Sequence, residues 1–390
     1  MSGARAEVAD YLQRRFGRRF CVLTNRGTTA LTAALRALDR PTGAAALFPA
    51  VLCSIPVFAA RFAGWTPVFA DVNLTDANFD PTDVARVLRE CNGRVGAVVP
   101  VHMFGRMDDV ERLEKMAAAA GAAVIEDLAL SLGAERDGRP AGSVGTMACL
   151  SFVRKMIPLE MGGAVMTDDP ELARRARDFI ESLPPLRPGE GAETAAALRA
   201  FHALTGFVAA GDWRRRELLD GFEGEFRRLF LARTADADWD ARTVVAEIEK
   251  LDDVLRARRA RAEVYETALH HPGAVPLDRG GSALFAYPVR LKGWTAEDLL
   301  DFAAEQGYTF RRIAYPDIHP VFGPRRPMPN AATIEREIVG LPLDDDRPVS
   351  EFWGYAADFD KMLGAYESVA PHRTPPDTRG RLEMRMGGLS

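Results

Sequence analysis

Residues 23–35 read LTNRGTTALTAAL, in which a short apolar run passes through Gly27, Thr28 and Thr29 into a stretch of strong helix formers. The pattern predicts a β-strand, a tight turn and then a helix. A helix start of this composition presents free backbone N–H groups, hydroxyls and the positive end of the helix dipole. These groups suit a phosphate, although capping of the helix by Thr28 is an alternative.

The same strand-then-helix unit recurs through the first half of the chain. Helical periodicity, as at 108–120, alternates with short apolar runs at 20–23, 46–48, 66–69, 95–99 and 122–125. Strands that are apolar on both faces belong to sheets that helices cover on both sides. The sequence therefore predicts an α/β fold built on a mainly parallel sheet.

The second half of the chain changes in character. Residues 180–245 read as charged helices, and we expect them to form a helical insert in a large domain of residues 1–245. Residues 246–373 predict a smaller C-terminal α+β domain. Its helices are predicted near 246–269, 296–306 and 349–363. The remaining residues, 374–390, predict a mobile tail.

Composition argues against several functional classes. A formal net charge of -5 over 390 residues gives no basic face for nucleic acid and no polybasic membrane anchor. No run is long and apolar enough to cross a bilayer, and the charged N-terminal residues lack the apolar core of a signal peptide. The four cysteines form no C-x-x-C pair. Their spacing predicts no metal site, and we expect reduced thiols in a cytoplasm.

A second chemical feature is AAVIEDLALSLGA at 122–134, an apolar strand that ends in Glu126 and Asp127. A carboxylate at the C-terminal end of a buried parallel strand lies where open α/β sheets bind ligands. Asp127 could pair there with a cationic ring nitrogen. Alternatively, it could cap the following turn.

A third feature is CLSFVRKMIPLEMGGAVMTDD at 149–169, where Ser151 and Lys155 stand between two β-like runs and a glycine pair follows. The chain is poor in lysine, and the lysines other than Lys155 read as solvent-exposed. A primary amine can condense with an aldehyde to form a Schiff base, whereas arginine cannot. The alternative is a lysine that pairs with a nearby acid.

Together these features match the three chemical handles of pyridoxal 5'-phosphate (PLP). The phosphate requires a cradle, the pyridine nitrogen requires a carboxylate and the aldehyde carbon requires a lysine. The chain supplies these groups in that order on one α/β scaffold. A single PLP site therefore accounts for all three features.

At these residues the chain resembles the DegT-type (DegT/DnrJ/StrS) sugar aminotransferases, a branch of the fold-type-I PLP enzymes. The similarity is carried by RGTTAL, GWTPVFADVNLTDANFDP at 64–81, VPVHMFG at 99–105, VIEDLALSLGA, SFVRK with its glycine pair, and PNAATIEREIVGLPL at 329–343. The resemblance implies a large PLP-binding domain and a smaller C-terminal domain. It also implies a homodimer whose active sites lie at the subunit interface.

The resemblance assigns roles to individual residues. It implies phosphate contacts from Gly27, Thr28, Thr29 and Ser151, a pyridinium contact from Asp127, and a Schiff base at Lys155. An amino donor, typically glutamate or glutamine in such families, would displace the lysine, whose freed amine then moves a proton between Cα and the cofactor. The implied acceptor is a keto sugar, a nucleotide-linked sugar or a related cyclic ketone.

Several positions depart from the family pattern. Leu130 stands where Gln or His usually supports the cofactor, and Cys53 stands where an aromatic residue usually stacks on its ring. The spacing from Ser151 to Lys155 is one residue shorter than usual, and the family's Asn-Tyr-Arg motif is not recognisable at 233–245. These departures predict altered substrate recognition around an intact cofactor site.

The sequence suggests roles for three further residues. His319 in AYPDIHP matches a family histidine that can enter the neighbouring active site and bind substrate, and the alternative is a histidine in a surface loop. Arg154 could face a substrate carboxylate or solvent. His102 in VHMFG reads as a structural residue at the end of a strand.

Other functions also remain open. An elimination, dehydration or condensation would use the same lysine linkage, and nitrogen transfer from glutamate to a ketone would distinguish an aminotransferase from these. A PLP-fold protein that binds a ligand or partner without catalysis would retain PLP but turn over no amino donor. Dehydratase relatives with a histidine and an iron–sulfur cluster are disfavoured, because Lys155 is present and the cysteines are scattered.

Overall fold

The structure is a computed structural model. It describes residues 3–153, 156–187, 193, 196–197, 199–200, 203–204, 214–278, 282–310, 313, 315–323, 326–343 and 347–370. The tail expected at 374–390 and much of the stretch between 188 and 213 lie outside these residues, as do Arg154 and Lys155. Among the described helices, none is both long and apolar enough to cross a membrane.

Seven strands of the described chain form the main sheet, in the order β1-β9-β8-β5-β4-β2-β3. Their bounds are β1 Phe20–Thr24, β2 Ala45–Pro49, β3 Thr66–Ala70, β4 Val95–Val98, β5 Ala123–Asp127, β8 Met147–Ser151 and β9 Gly163–Thr167, while β6 Glu135–Arg136 and β7 Arg139–Pro140 form a separate hairpin. β9 pairs antiparallel with β1 and β8, and the other neighbouring pairs are parallel. The predicted mainly parallel sheet is confirmed.

Helices cover both faces of this sheet. They are α1 Ala4–Phe16, α2 Gly27–Ala37, α3 Ile55–Phe62, α4 Pro81–Glu90, α5 Val110–Ala119, α6 Pro170–Glu181, α7 Arg214–Phe230 and α8 Ala241–Glu249. One core cluster contains side chains of α2, α3, α6 and α7, and a second contains side chains of α1, α4, α5 and α8. Adjacent residues of β1 divide between them, with Val22 in the first and Leu23 in the second. This alternation explains why the strands are apolar throughout.

Several helices begin at an aspartate that caps them. Asp80, Asp109 and Asp169 precede α4, α5 and α6, and each side chain accepts a backbone N–H from the first turn. Pro81 and Pro170 occupy the first position of α4 and α6, where a missing N–H breaks no helical bond. These local signals fix where the helices leave the ends of the sheet.

The smaller C-terminal part contains a three-stranded antiparallel sheet, β10 Ala274–Pro276, β11 Tyr287–Leu291 and β12 Ile338–Leu341. Its helices are α9 Leu251–Ala268, α10 Ala296–Glu305, α11 His319–Phe322, α12 Pro329–Glu337 and α13 Val349–Val369. A third core cluster joins α9, α10 and α13 to this sheet. The helices predicted near 296–306 and 349–363 are confirmed, and the latter continues to Val369.

The single helix predicted at 246–269 is instead two helices, α8 and α9, that meet at Lys250. Ile248 and Leu255 pack in a core of the large sheet, whereas Tyr265 packs in the third core. Helix α9 therefore runs from one core into the other. The continuous charged pattern of the sequence does not show which core each turn contacts. The domain boundary predicted between residues 245 and 246 falls inside α8 and stays a prediction.

Candidate active site

The predicted cofactor residues lie where parallel strands end. Thr24 ends β1 just before Gly27, Asp127 ends β5 and Ser151 ends β8. Strands β1 and β8 both pair antiparallel with β9 between them, and β8 pairs parallel with β5, so all three run in the same direction. Their C-terminal ends therefore meet at one edge of the sheet, which is where α/β folds bind ligands.

Gly27 lies directly against Ser151. A Cβ atom added to Gly27 would lie 2.7 Å from Cβ of Ser151 and 3.1 Å from its Oγ. Gly27 begins α2, and Thr28 follows it with only 8% exposure. The helix is not capped by Thr28, because its N-cap residue is Arg26. The start of α2 and the end of β8 thus form a tight cradle of backbone N–H groups and hydroxyls that fits a phosphate.

Gly27→Ala is expected to lower PLP affinity about tenfold and to destabilise the fold by about 1–3 kcal/mol, because the new methyl group must push Ser151 away. A PLP titration followed by absorbance, together with urea unfolding, measures both effects. Gly221→Ala in α7 is the control, since nothing lies within 4 Å of its added Cβ. Unchanged affinity in Gly27→Ala would show that the phosphate binds elsewhere.

Thr29 anchors this cradle to α7. Its hydroxyl lies 2.6 Å from Oδ1 of Asn25 and 2.7 Å from the carbonyl oxygen of Phe230, which also accepts from Nδ2 of Asn25 at 3.1 Å. The hydroxyl of Thr29 therefore links the start of α2 to the end of α7. The phosphate contact predicted for Thr29 then depends on its backbone N–H. Sequence reasoning missed Asn25 and Phe230 because Thr29 and Phe230 are 201 positions apart.

The glycine pair that follows Lys155 supports the same cradle. The N–H of Gly162 donates to the carbonyl of Asn25 at 2.7 Å, and a Cβ added to Gly163 would lie 2.7 Å from the carbonyl carbon of Arg26. The guanidinium carbon of Arg26 lies 5.1 Å from the ring centroid of Phe230. A cation thus stands beside the cradle. In the sequence, the position of Arg26 immediately before Gly27 was the signal that could have identified this cation.

Asp127 is buried at the end of β5, with 9% exposure. Its Oδ1 accepts the N–H of Ala129 at 3.0 Å, so the turn-capping alternative is also realised. Burial, followed by the charge of Asp127, raises the pKa of the Cys149 thiol well above its usual value. Burial and the charges of Cys53 and Asp127 also raise the pKa of Tyr315 well above its usual value. The negative charge of Asp127 thus disfavours further anions and favours a cationic partner.

His102 and Glu126 form a buried structural pair beside this edge. Nδ1 of His102 accepts the N–H of Asp108 at 3.0 Å, and its Nε2 faces Oε2 of Glu126 at 3.3 Å. Glu126 also accepts the N–H groups of Gly142 and Gly145 at 2.8 and 2.7 Å. Burial pushes the pKa of Glu126 upward, but the bond from His102 and these backbone donors outweigh it and leave the pKa lowered. The structural interpretation of His102 agrees with these contacts.

Asp108 gives this region a pH-dependent stability. Burial, and next the charge of Asp76, raise the pKa of Asp108 to about 7. The folded protein then binds a proton that the unfolded chain releases at lower pH, so stability falls as pH rises towards the folded pKa. We expect a loss of about 2 kcal/mol in the free energy of unfolding between pH 5 and pH 8. Urea unfolding should show a flatter profile for Asp108→Asn, and parallel profiles would refute the assignment.

Cys53 and Leu130 supply neither an aromatic nor a strongly polar side chain. Cys53 has intermediate exposure and lies beyond the end of β2, and Leu130 is 5% exposed. The carbonyl oxygen of Leu130 lies 2.9 Å from a Cβ added to Gly105, so this wall is closely packed. Neither side chain can stack on a ring, and the thiol is only a weak hydrogen-bond donor.

His319 does not lie in a surface loop. It is 6% exposed and begins α11. Its Nδ1 lies 2.7 Å from Oδ1 of Asp317, and its Nε2 lies 2.9 Å from the carbonyl oxygen of Arg326. Substrate binding by His319 would have to displace one of these contacts. The other predicted substrate residue, Arg154, and the predicted Schiff-base residue, Lys155, lie outside the described residues.

A surface cavity of about 520 Å³ lies at the opposite edge of the sheet, where β8 begins and β9 ends. Glu114, Asp168 and Asp169 line it. Arg18 also lines it, but its guanidinium already donates to Asp168 and to two backbone carbonyls. The acidic lining is unsuited to a phosphate, so this cavity does not compete with the cradle at Gly27.

Comparisons with known proteins relate part of this chain to aminotransferases. The sequence profile of the DegT/DnrJ/EryC1/StrS aminotransferase family matches residues 5–186. Over 153 residues the chain is 35% identical to a UDP-N-acetyl-3-dehydro-alpha-D-glucosamine 3-aminotransferase of Acidithiobacillus ferrooxidans, covering 39% of this chain and 41% of that protein. It is 30% identical over 214 residues to the L-glutamine:2-deoxy-scyllo-inosose aminotransferase of Streptomyces kanamyceticus, covering 51% of this chain and 49% of that protein.

The fold extends over nearly the whole chain. The crystal structure of DesI in the presence of its TDP-sugar product aligns with a TM-score of 0.72 and 24% identity, covering 95% of this chain and 88% of DesI. The predicted fold-type-I architecture is therefore confirmed. In sequence, however, the chain spans less than half the length of the two curated relatives. The match to the aminotransferase profile covers residues 5–186, which contain the cradle, Asp127 and Lys155.

Proposed function

We propose that this protein is a PLP-dependent aminotransferase. It moves an amino group from an amino acid donor, glutamate or glutamine, to a keto sugar, a nucleotide-linked sugar or a related cyclic ketone. The observation that carries the proposal is the meeting of Gly27, Ser151 and Asp127 at one edge of the sheet. The acceptor class is supported by the two curated relatives, which are named as aminotransferases of a dehydro-glucosamine nucleotide and of an inosose.

The residues at this edge fit PLP. The close approach of Gly27 to Ser151 leaves backbone N–H groups and hydroxyls, but no side-chain bulk, at the start of α2. A phosphate would be held there by Gly27, Thr28, Thr29 and Ser151. The buried carboxylate of Asp127 would hold a protonated ring nitrogen, because a cation offsets its charge at a site shielded from water.

When bound, PLP supplies a ring that accepts the electron pair released as a bond at Cα of an amino acid breaks. The charge of Asp127 would favour the protonated ring nitrogen and so support this electron demand. Lys155 would hold the cofactor by its aldehyde carbon, and its freed amine would take the proton from Cα of the donor. The helix start at Gly27 and Thr28 holds the phosphate and fixes the orientation of the reacting carbon.

The test is a half-reaction with each donor. Purified protein loaded with PLP and mixed with glutamate or glutamine should release the corresponding 2-oxo acid and leave pyridoxamine phosphate, both measured by chromatography. A panel of keto sugars and nucleotide-linked keto sugars should then restore PLP. Bound PLP with no oxo acid from any donor would support the non-catalytic alternative, and release of ammonia would support an elimination.

We further propose a homodimer in the cytoplasm. The family resemblance supports the dimer, and the four free cysteines fit a reducing compartment. Light scattering coupled to size exclusion measures the mass of the assembly. A mass of a single chain of 42.7 kDa would contradict the dimer.

A further inference from the structure

Tyr315 is an aromatic residue close enough to Cys53 and Asp127 for their charges to act on its hydroxyl group. It is 4% exposed, and its segment is hydrogen-bonded across the loop that carries Cys53. The N–H of Leu52 donates to the carbonyl of Pro316 at 3.3 Å, and the N–H of Ile318 donates to the carbonyl of Ala50 at 3.0 Å. The C-terminal part of the chain thus places Tyr315 near the thiol of Cys53, which cannot stack on a ring.

Phe104 holds Tyr315 from the other side. The two rings meet edge to face with centroids 5.8 Å apart, and Phe104 is fully buried. Gly105, the next residue, packs against the carbonyl oxygen of Leu130. Tyr315 is therefore linked through Phe104 and Gly105 to the wall formed by Leu130, and through Pro316 to the loop that carries Cys53.

The backbone around Phe104 is strained. Phe104 has φ 56°, His102 has φ 50°, and Leu284 has φ 52°. The N–H of Phe285, the residue after Leu284, donates to the carbonyl of Phe104 at 3.1 Å. Bulky residues in the left-handed region are strained and persist only where the surrounding structure holds them in place. Here the hydrogen bond from Phe285 holds the backbone of Phe104, whose ring abuts Tyr315.

We propose that Tyr315 is the residue that contacts the ring of bound PLP and sets its orientation, in the place left by Cys53 and Leu130. This proposal rests on the proposed function, since it requires PLP at the Asp127 site. Burial, with the charges of Cys53 and Asp127, raises the pKa of Tyr315 well above its usual value, so the phenol stays protonated. Tyr315 accordingly acts through ring contact and orientation, and proton transfer is left to Lys155.

The first test observes Tyr315 directly. All seven tyrosines are replaced by 3-fluorotyrosine, and the fluorine resonance that disappears in Tyr315→Phe is assigned to Tyr315. Addition of PLP should shift this resonance more than those of Tyr265 or Tyr366, which lie in the third core. Saturated PLP binding with an unmoved Tyr315 resonance would overturn the proposal. Because Tyr315→Phe keeps the ring, this readout does not depend on a destabilised variant.

The second test measures PLP affinity by absorbance, without substrate. Tyr315→Leu should bind about tenfold more weakly, whereas Tyr315→Phe, which keeps the ring, should stay within about twofold of wild type. Cys53→Phe added to Tyr315→Leu should recover part of the loss, which a purely structural role would not allow. Tyr366→Leu is the control, because Tyr366 has the same 4% exposure in the third core.

The outcomes separate the two proposals. If wild type binds PLP and Tyr315→Leu binds it within twofold of wild type, the role of Tyr315 is wrong and the aminotransferase proposal stands. If wild type binds no PLP, the proposed function itself fails and the role of Tyr315 fails with it.

Discussion

Lys155→Ala is expected to abolish covalent attachment of PLP and to slow amino transfer about a thousandfold or more. No other side-chain type in the chain can both condense with the aldehyde carbon and then carry the proton at Cα. Wild type incubated with PLP and reduced with borohydride should gain the mass of the reduced cofactor on the peptide that contains Lys155. The variant should gain none there.

The matched control is Lys250→Ala. Lys250 is an exposed lysine that pairs with Glu247 at 2.5 Å, one turn away on the surface. Its loss should change neither the labelled peptide nor the rate. If Lys155→Ala were labelled as strongly as wild type, or if Lys250→Ala lost the label, the central assignment would be wrong.

Asp127→Asn is expected to reduce the rate of amino transfer about a hundredfold while leaving the fold intact. The amide oxygen can still accept the N–H of Ala129, so the local turn is retained. What disappears is the negative charge, which at 9% exposure acts with little screening from water. Without it the ring nitrogen loses its proton, and electron demand at Cα falls. The half-reaction with glutamate, followed by stopped-flow absorbance, measures the rate.

Asp137→Asn is the control for this substitution, because the side chain of Asp137 is 94% exposed. It should behave as wild type. The variant Asp127→Glu keeps the charge but lengthens the side chain, so it should recover part of the rate. An Asp127→Asn enzyme with wild-type rate would remove Asp127 from the mechanism.

The tertiary structure corrected the sequence interpretation at two positions, Thr29 and His319. The hydroxyl of Thr29 reads as a phosphate ligand in the sequence, yet in the structure it is tied to Phe230 at the end of α7. His319 reads equally well as a surface-loop residue, yet it is 6% exposed and its ring nitrogens face Asp317 and the carbonyl oxygen of Arg326. In each case the local pattern is the same with or without the contact, so no periodicity or spacing could reveal it.

The sequence by itself determined the fold class and placed the residues predicted to bind the cofactor at the ends of strands. Apolar strands alternating with helices require a parallel sheet covered on both faces, and such a sheet brings its strand ends to one edge. Asp127 and Ser151 end their strands, and Gly27 follows the end of its strand. Their meeting at one edge is therefore a consequence of the local sequence pattern. Only the tertiary structure placed Tyr315 next to the loop that carries Cys53. Tyr315 is separated from Asp127 by a large part of the chain, and its place depends on backbone bonds to Leu52 and Ala50 formed by its neighbours Pro316 and Ile318, which exist only in the folded protein.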